Sequence, residues 1–108
     1  ATSPIVNVTA APPPPPAQLT PNVTTATVGS PVTVSLSGGP GGATDWIALA
    51  ATGAANNNYL QWVYVGSGVT TRDWTVNMPT APGTYEFRLF LNNGYTRAAT
   101  SPPITVTP

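Results

Sequence analysis

The sequence contains no cysteine, no histidine and no lysine. Without cysteine there is neither a disulfide framework nor a thiolate nucleophile, so stability must come from packing. Without histidine, Ser-His-Asp and Cys-His catalysis fall away and serines such as Ser37 and Ser67 have no base. Metal sites built on imidazole or thiolate go with them. Charge is nearly as scarce: Asp45, Asp73, Glu86, Arg72, Arg88 and Arg97 are the only charged side chains among 108 residues, and they sum to zero. No cluster of cations exists to meet nucleic-acid phosphates or anionic lipid, so neither a nucleic-acid nor a membrane partner is expected. A glycosidase needs two facing carboxyl groups, and three acids leave little choice for them. The chain is expected not to be an enzyme and to use no cofactor and no metal; a calcium cage would have to rest on backbone carbonyls. No run of eighteen apolar residues is present, which excludes a membrane-spanning helix.

What the sequence has instead is proline, glycine and short polar side chains. Half of the fourteen prolines lie before Val23, five of them in the tract Pro12 to Pro16. Successive prolines donate no backbone hydrogen bonds and favour a stiff polyproline II rod rising ~3.1 Å per residue. Residues 1–22 are therefore expected to be a Pro/Thr-rich linker and residues 23–108 the folded unit. A Thr-, Ser-, Asn- and Gly-rich surface that stays soluble without charge suits a secreted, extracellular protein, and the chain is expected to be a monomer.

From Val23 onward the apolar period is two, with runs bounded by Gly, Pro and Asn, which reads as all-β. Val32, Val34 and Leu36 alternate with Thr33 and Ser35. Ile47 and Leu49 point one way, Trp46 and Ala48 the other. Tyr59 to Val65 forms the next strand, followed by one in which Trp74, Val76 and Met78 face inward. Tyr85, Phe87, Leu89 and Leu91 are inward by the same logic, leaving Glu86, Arg88 and Phe90 outward. Asn93-Gly94 is expected to close a type I′ hairpin, setting Phe90 opposite Arg97 and Asn92 opposite Tyr95. Carried on, that parity turns Tyr95, Arg97 and Ala99 outward and Ile104 and Val106 inward. Seven or eight such strands predict an immunoglobulin-like antiparallel β-sandwich of two sheets. Tyr85, in Pro82-Gly83-Thr84-Tyr85-Glu86-Phe87, sits where such domains carry a tyrosine corner.

These parities gather Trp46, Glu86, Arg88, Phe90, Tyr95 and Arg97 on one outer face. Exposed aromatics on a nearly uncharged sheet are costly unless something covers them. Sugar rings are a suitable cover, because their axial C–H groups match the negative faces of aromatic rings while equatorial hydroxyls reach polar side chains at the flank. Arg88, Arg97, Glu86 and Asn92 are candidates for that flank. Leu60, Trp62 and Tyr64 share a face that either lines the core or forms an edge platform with rings about 6.6–6.8 Å apart along the strand. Singly, each residue also has an ordinary packing explanation: an exposed Glu86–Arg88 ion pair, an Arg stacked on Trp46, a polar turn at Asn56-Asn57-Asn58.

Asp45-Trp46-Ile47-Ala48-Leu49, Trp62-Val63-Tyr64, the segment Pro82 to Phe90 and Asn92-Asn93-Gly94-Tyr95-Thr96 resemble an immunoglobulin-like domain repeated in bacterial secreted enzymes. The chain after the proline tract is similar to carbohydrate-binding module family eighty-one, a cellulase-linked β-sandwich. That resemblance implies binding of β-glucans (cello-oligosaccharides, mixed-linkage glucan, xyloglucan or cellulose) on a flat aromatic face, and covalent linkage to a glycoside hydrolase that the module brings to plant cell-wall polysaccharide. The contact residues expected are Trp46, Trp62, Tyr64, Arg88, Phe90 and Tyr95. Two other roles fit the same sequence: an immunoglobulin-like structural spacer without a ligand, and a protein-binding module using its edge strands.

Overall fold

The structure is a computed structural model and describes residues 17–108. The described residues form nine strands: β1 (Gln18–Pro21), β2 (Thr25–Thr27), β3 (Pro31–Ser37), β4 (Trp46–Ala51), β5 (Gln61–Tyr64), β6 (Arg72–Asn77), β7 (Gly83–Leu91), β8 (Thr96–Thr100) and β9 (Ile104–Thr107). One sheet has the order β1-β3-β6; the larger has the order β2-β9-β7-β4-β5, with β8 also paired to β7. Every pair is antiparallel except β2 with β9.

The alternation read from the sequence sets the core. Val32, Val34 and Leu36 from β3 meet Ile47 and Leu49 from β4 and Tyr85, Phe87 and Leu89 from β7, joined by Val76, Met78, Ile104 and Val106. Each fully buried aliphatic or Phe side chain of this kind is worth about 1.5–3 kcal/mol over its exposed state. Trp74 is half-buried against this cluster, its ring edge-on to Phe87 at 5.9 Å. The hydroxyl of Tyr85 donates to the carbonyl of Ala81 at 2.7 Å, which is the tyrosine-corner bond.

Three features depart from the sequence reading. The first concerns the boundary: Gln18–Pro21, assigned to the linker, pairs with β3 and places Leu19 in the core. The folded unit therefore begins before residue 22; Pro12 to Pro16 lie outside the described residues. Asn22 then turns the chain from one sheet to the other, its Oδ1 accepting from the Thr33 amide at 3.0 Å and its own amide donating to the Thr33 carbonyl at 2.8 Å.

The second is the last strand, which is broken. Pro102 and Pro103 offer no amide to the ladder, and Ser101 spans the gap, its amide bonded to the Phe87 carbonyl and its Oγ to the Phe87 amide. A register shift between Leu89 and Phe90 precedes the break. One extra residue reverses facing, so Ala99, expected outward, lies opposite Leu89 and packs against the core.

The third is the hairpin. Phe90 does lie opposite Arg97, but the left-handed residues are Asn92 (φ 56°) and Asn93 (φ 55°), not Asn93 and Gly94. The closing bond runs from the Gly94 amide to the Leu91 carbonyl at 3.0 Å.

Candidate functional site

The outer face of the larger sheet follows from register. Phe90, Trp46 and Tyr64 form one cross-strand row, and Arg88, Ala48 and Trp62 the next. Arg97 extends the first row on β8. The sequence thus brings its six expected contact residues to one face, but not into one exposed plane.

Trp46, Phe90 and Arg88, expected to be accessible, are buried: 5%, 0% and 1% exposed. Trp46 stacks on Phe90 with ring centroids 4.6 Å apart, and the edges of Tyr59, Trp62 and Tyr95 close around it at 5.0, 6.0 and 5.9 Å. Its indole N–H donates to the Gly94 carbonyl at 3.1 Å. The cover over these aromatics is supplied by the chain itself.

Arg88 is sealed by the segment that links β4 to β5. Its Nε donates to Glu86 Oε2 at 2.8 Å, and its terminal nitrogens reach the carbonyls of Ala55 and Ala51 at 3.3 and 3.4 Å. Arg97 approaches the same Glu86 oxygen at 3.6 Å and donates to Asn56 Oδ1. The Glu86–Arg88 pair is therefore not the exposed surface pair that their spacing on one strand suggested. Glu86, Arg88 and Arg97 do not act as a free hydrogen-bonding flank; they hold residues 51–56 across half of the face.

The other half is open. Trp62, Tyr64 and Tyr95 are 47%, 42% and 49% exposed, so the choice left open by the sequence falls to the outward orientation of Trp62. Val63, between them, packs against the core. Together with Trp46, Tyr59 and Asn93 they line a depression of about 150 Å³. It is not flat. Trp62 and Tyr64 stand edge to face, 4.8 Å apart and 86° between planes, rather than as two parallel rungs. Asn93 accepts a 3.0 Å hydrogen bond from the Tyr64 hydroxyl.

Tyr59 and Asn93 are site residues that sequence reasoning missed. A strand running from Tyr59 to Val65 would put Tyr59 on the face opposite Trp62, but the strand starts only at Gln61, so alternation does not extend back to Tyr59. Asn93 is a turn former in the sequence; in the structure it is the second left-handed residue of the turn, and its Oδ1 accepts from Tyr64. The acids are engaged or remote: Asp45 and Glu86 are buried and hydrogen-bonded, while Asp73 lies exposed on β6 of the opposite sheet.

No protein-family model and no curated protein matches the chain. Among solved structures, that of CHIR-AB1 is similar with a TM-score of 0.53 and 15% identity, over 84% of this chain and 95% of that one. At this identity the likeness concerns the fold, and with the two-sheet topology and the tyrosine corner it establishes an immunoglobulin-like β-sandwich.

Proposed function

We propose that this chain is a non-catalytic carbohydrate-binding module that takes β-glucan at the depression between β5 and the β7–β8 turn. The observation that carries the reading is the group of three half-exposed aromatics, Trp62, Tyr64 and Tyr95, around a shared hollow in a chain that carries almost no charge. Apolar ring faces with an amide and phenol hydroxyls at the rim match the mixed character of a pyranose ring. None of the described residues that line the hollow is charged, which suits a neutral ligand. Trp62 offers the stacking face, Tyr64 and Tyr95 bound it, and Asn93 stands ready to bond a hydroxyl. Trp46 and Phe90 support these rings from below, and Arg88 holds the neighbouring segment.

In this reading the module is secreted, works as a monomer and is joined to a glycoside hydrolase; its support is the motif resemblance and the low content of charged residues. Affinity electrophoresis through gels containing mixed-linkage glucan, xyloglucan or soluble cellulose derivatives tests it. Retardation in at least one gel is expected. Unchanged mobility in all of them would favour the structural spacer, which has no ligand.

A further inference from the structure

Asp45 precedes β4 and is 3% exposed. Oδ2 accepts from the Gly42 amide at 3.0 Å and Oδ1 from the Asn92 amide at 3.1 Å. The next amide, of Asn93, donates to the Thr44 carbonyl at 2.9 Å, and the Asp45 carbonyl accepts from Val65, next to Tyr64, at 2.9 Å. One short segment thus anchors the β7–β8 turn on one side and the end of β5 on the other. Gly42 leaves room for this: a Cβ there would stand 2.7 Å from both carboxylate oxygens.

The turn needs such an anchor. Asn92 and Asn93 both hold left-handed φ, a region that asparagine tolerates better than most residues but that still favours glycine. A buried carboxylate bonded to the first of two adjacent left-handed residues compensates with a charge-assisted hydrogen bond. What the turn then presents is half of the candidate site: Asn93 against the Tyr64 hydroxyl, the Gly94 carbonyl against the Trp46 indole, and Tyr95 at the rim.

We infer that Asp45 is the positioning residue of the aromatic depression, acting through the left-handed Asn92-Asn93 turn rather than by touching ligand. The inference rests on the reading of that depression as a glucan site. It also predicts a specific relation between two positions. If Asp45 acts by holding Asn92 in an unfavourable backbone conformation, a glycine at 92 removes most of the need for it.

The test is a double-mutant cycle on Asp45→Asn and Asn92→Gly, with calorimetric titration of cello-oligosaccharides and amide hydrogen exchange by NMR on the free proteins. Asp45→Asn is expected to weaken binding roughly tenfold, to speed exchange of the Asn92 amide and to shift the Trp46 indole N–H resonance. Adding Asn92→Gly to it is expected to restore most of the lost affinity and the indole shift, a coupling that independent effects would not show. Gly42→Ala, which displaces the same carboxylate without removing it, is expected to imitate Asp45→Asn in a folded protein. Wild-type affinity in Asp45→Asn, or no rescue by Asn92→Gly, would overturn the positioning role. Unchanged Asn92 exchange and an unmoved indole resonance would do so without reference to any ligand. Absence of binding by the wild-type protein, with these resonances changing as described, would instead overturn the glucan reading.

Discussion

Trp46 and Phe90 stack on adjacent strands with their rings 4.6 Å apart and 29° between planes, and both are buried. The pair is a second, smaller core on the outer side of the larger sheet. Truncating Trp46 therefore removes buried volume and a satisfied indole bond, not a surface ring. Trp46→Ala is expected to lower stability by about 3–5 kcal/mol, read from urea unfolding. A midpoint within error of the wild type would show that the ring is dispensable to the fold.

The buried ion pair leads to a second expectation. Glu86→Gln leaves the Arg88 guanidinium, 1% exposed, without its counter-charge, a change that typically costs about 3–5 kcal/mol. Arg97 is one-third exposed and 3.6 Å from the same carboxylate, so Arg97→Gln is expected to cost no more than about 1 kcal/mol. Denaturant melts of the two variants at equal ionic strength compare them; equal losses would mean that Arg88 is held by the Ala51 and Ala55 carbonyls alone.

Much of the fold was legible because the core strands alternate cleanly: Val32-Val34-Leu36, Ile47-Leu49 and Tyr85-Phe87-Leu89 each declare a face. The failures have local causes. Gln18–Pro21 carries one large apolar residue beside a proline tract, too little for a period to show. Ala99 was misplaced because a register shift is invisible to parity. The outer face was harder. Its residues were gathered correctly, but whether they meet solvent depends on the 51–60 segment folding over Arg88 and on Tyr59 reaching Trp46, which are tertiary contacts no alternation encodes.

Leu19 tests the corrected boundary. It is 3% exposed and shares the core with Leu36, so Leu19→Ala is expected to cost about 2–5 kcal/mol. Circular dichroism melts would show this as a clear fall in Tm. An unchanged Tm would mean that β1 is an appendage, as the sequence suggested.

The central claim, that the open aromatic hollow binds glucan, is tested most directly by titrating cello-oligosaccharides and mixed-linkage glucan into Trp62→Ala beside the wild type, with a thermal melt of each. Trp62 is half-exposed at the end of a cross-strand row, so its removal should leave Tm nearly unchanged. A stacking ring contributes about 0.5–1.5 kcal/mol beyond its buried area, so affinity should fall roughly tenfold at about 1.4 kcal/mol per decade. Glucan binding by the wild type that persists undiminished in a folded Trp62→Ala, or no binding by the wild type to either ligand, would contradict the account.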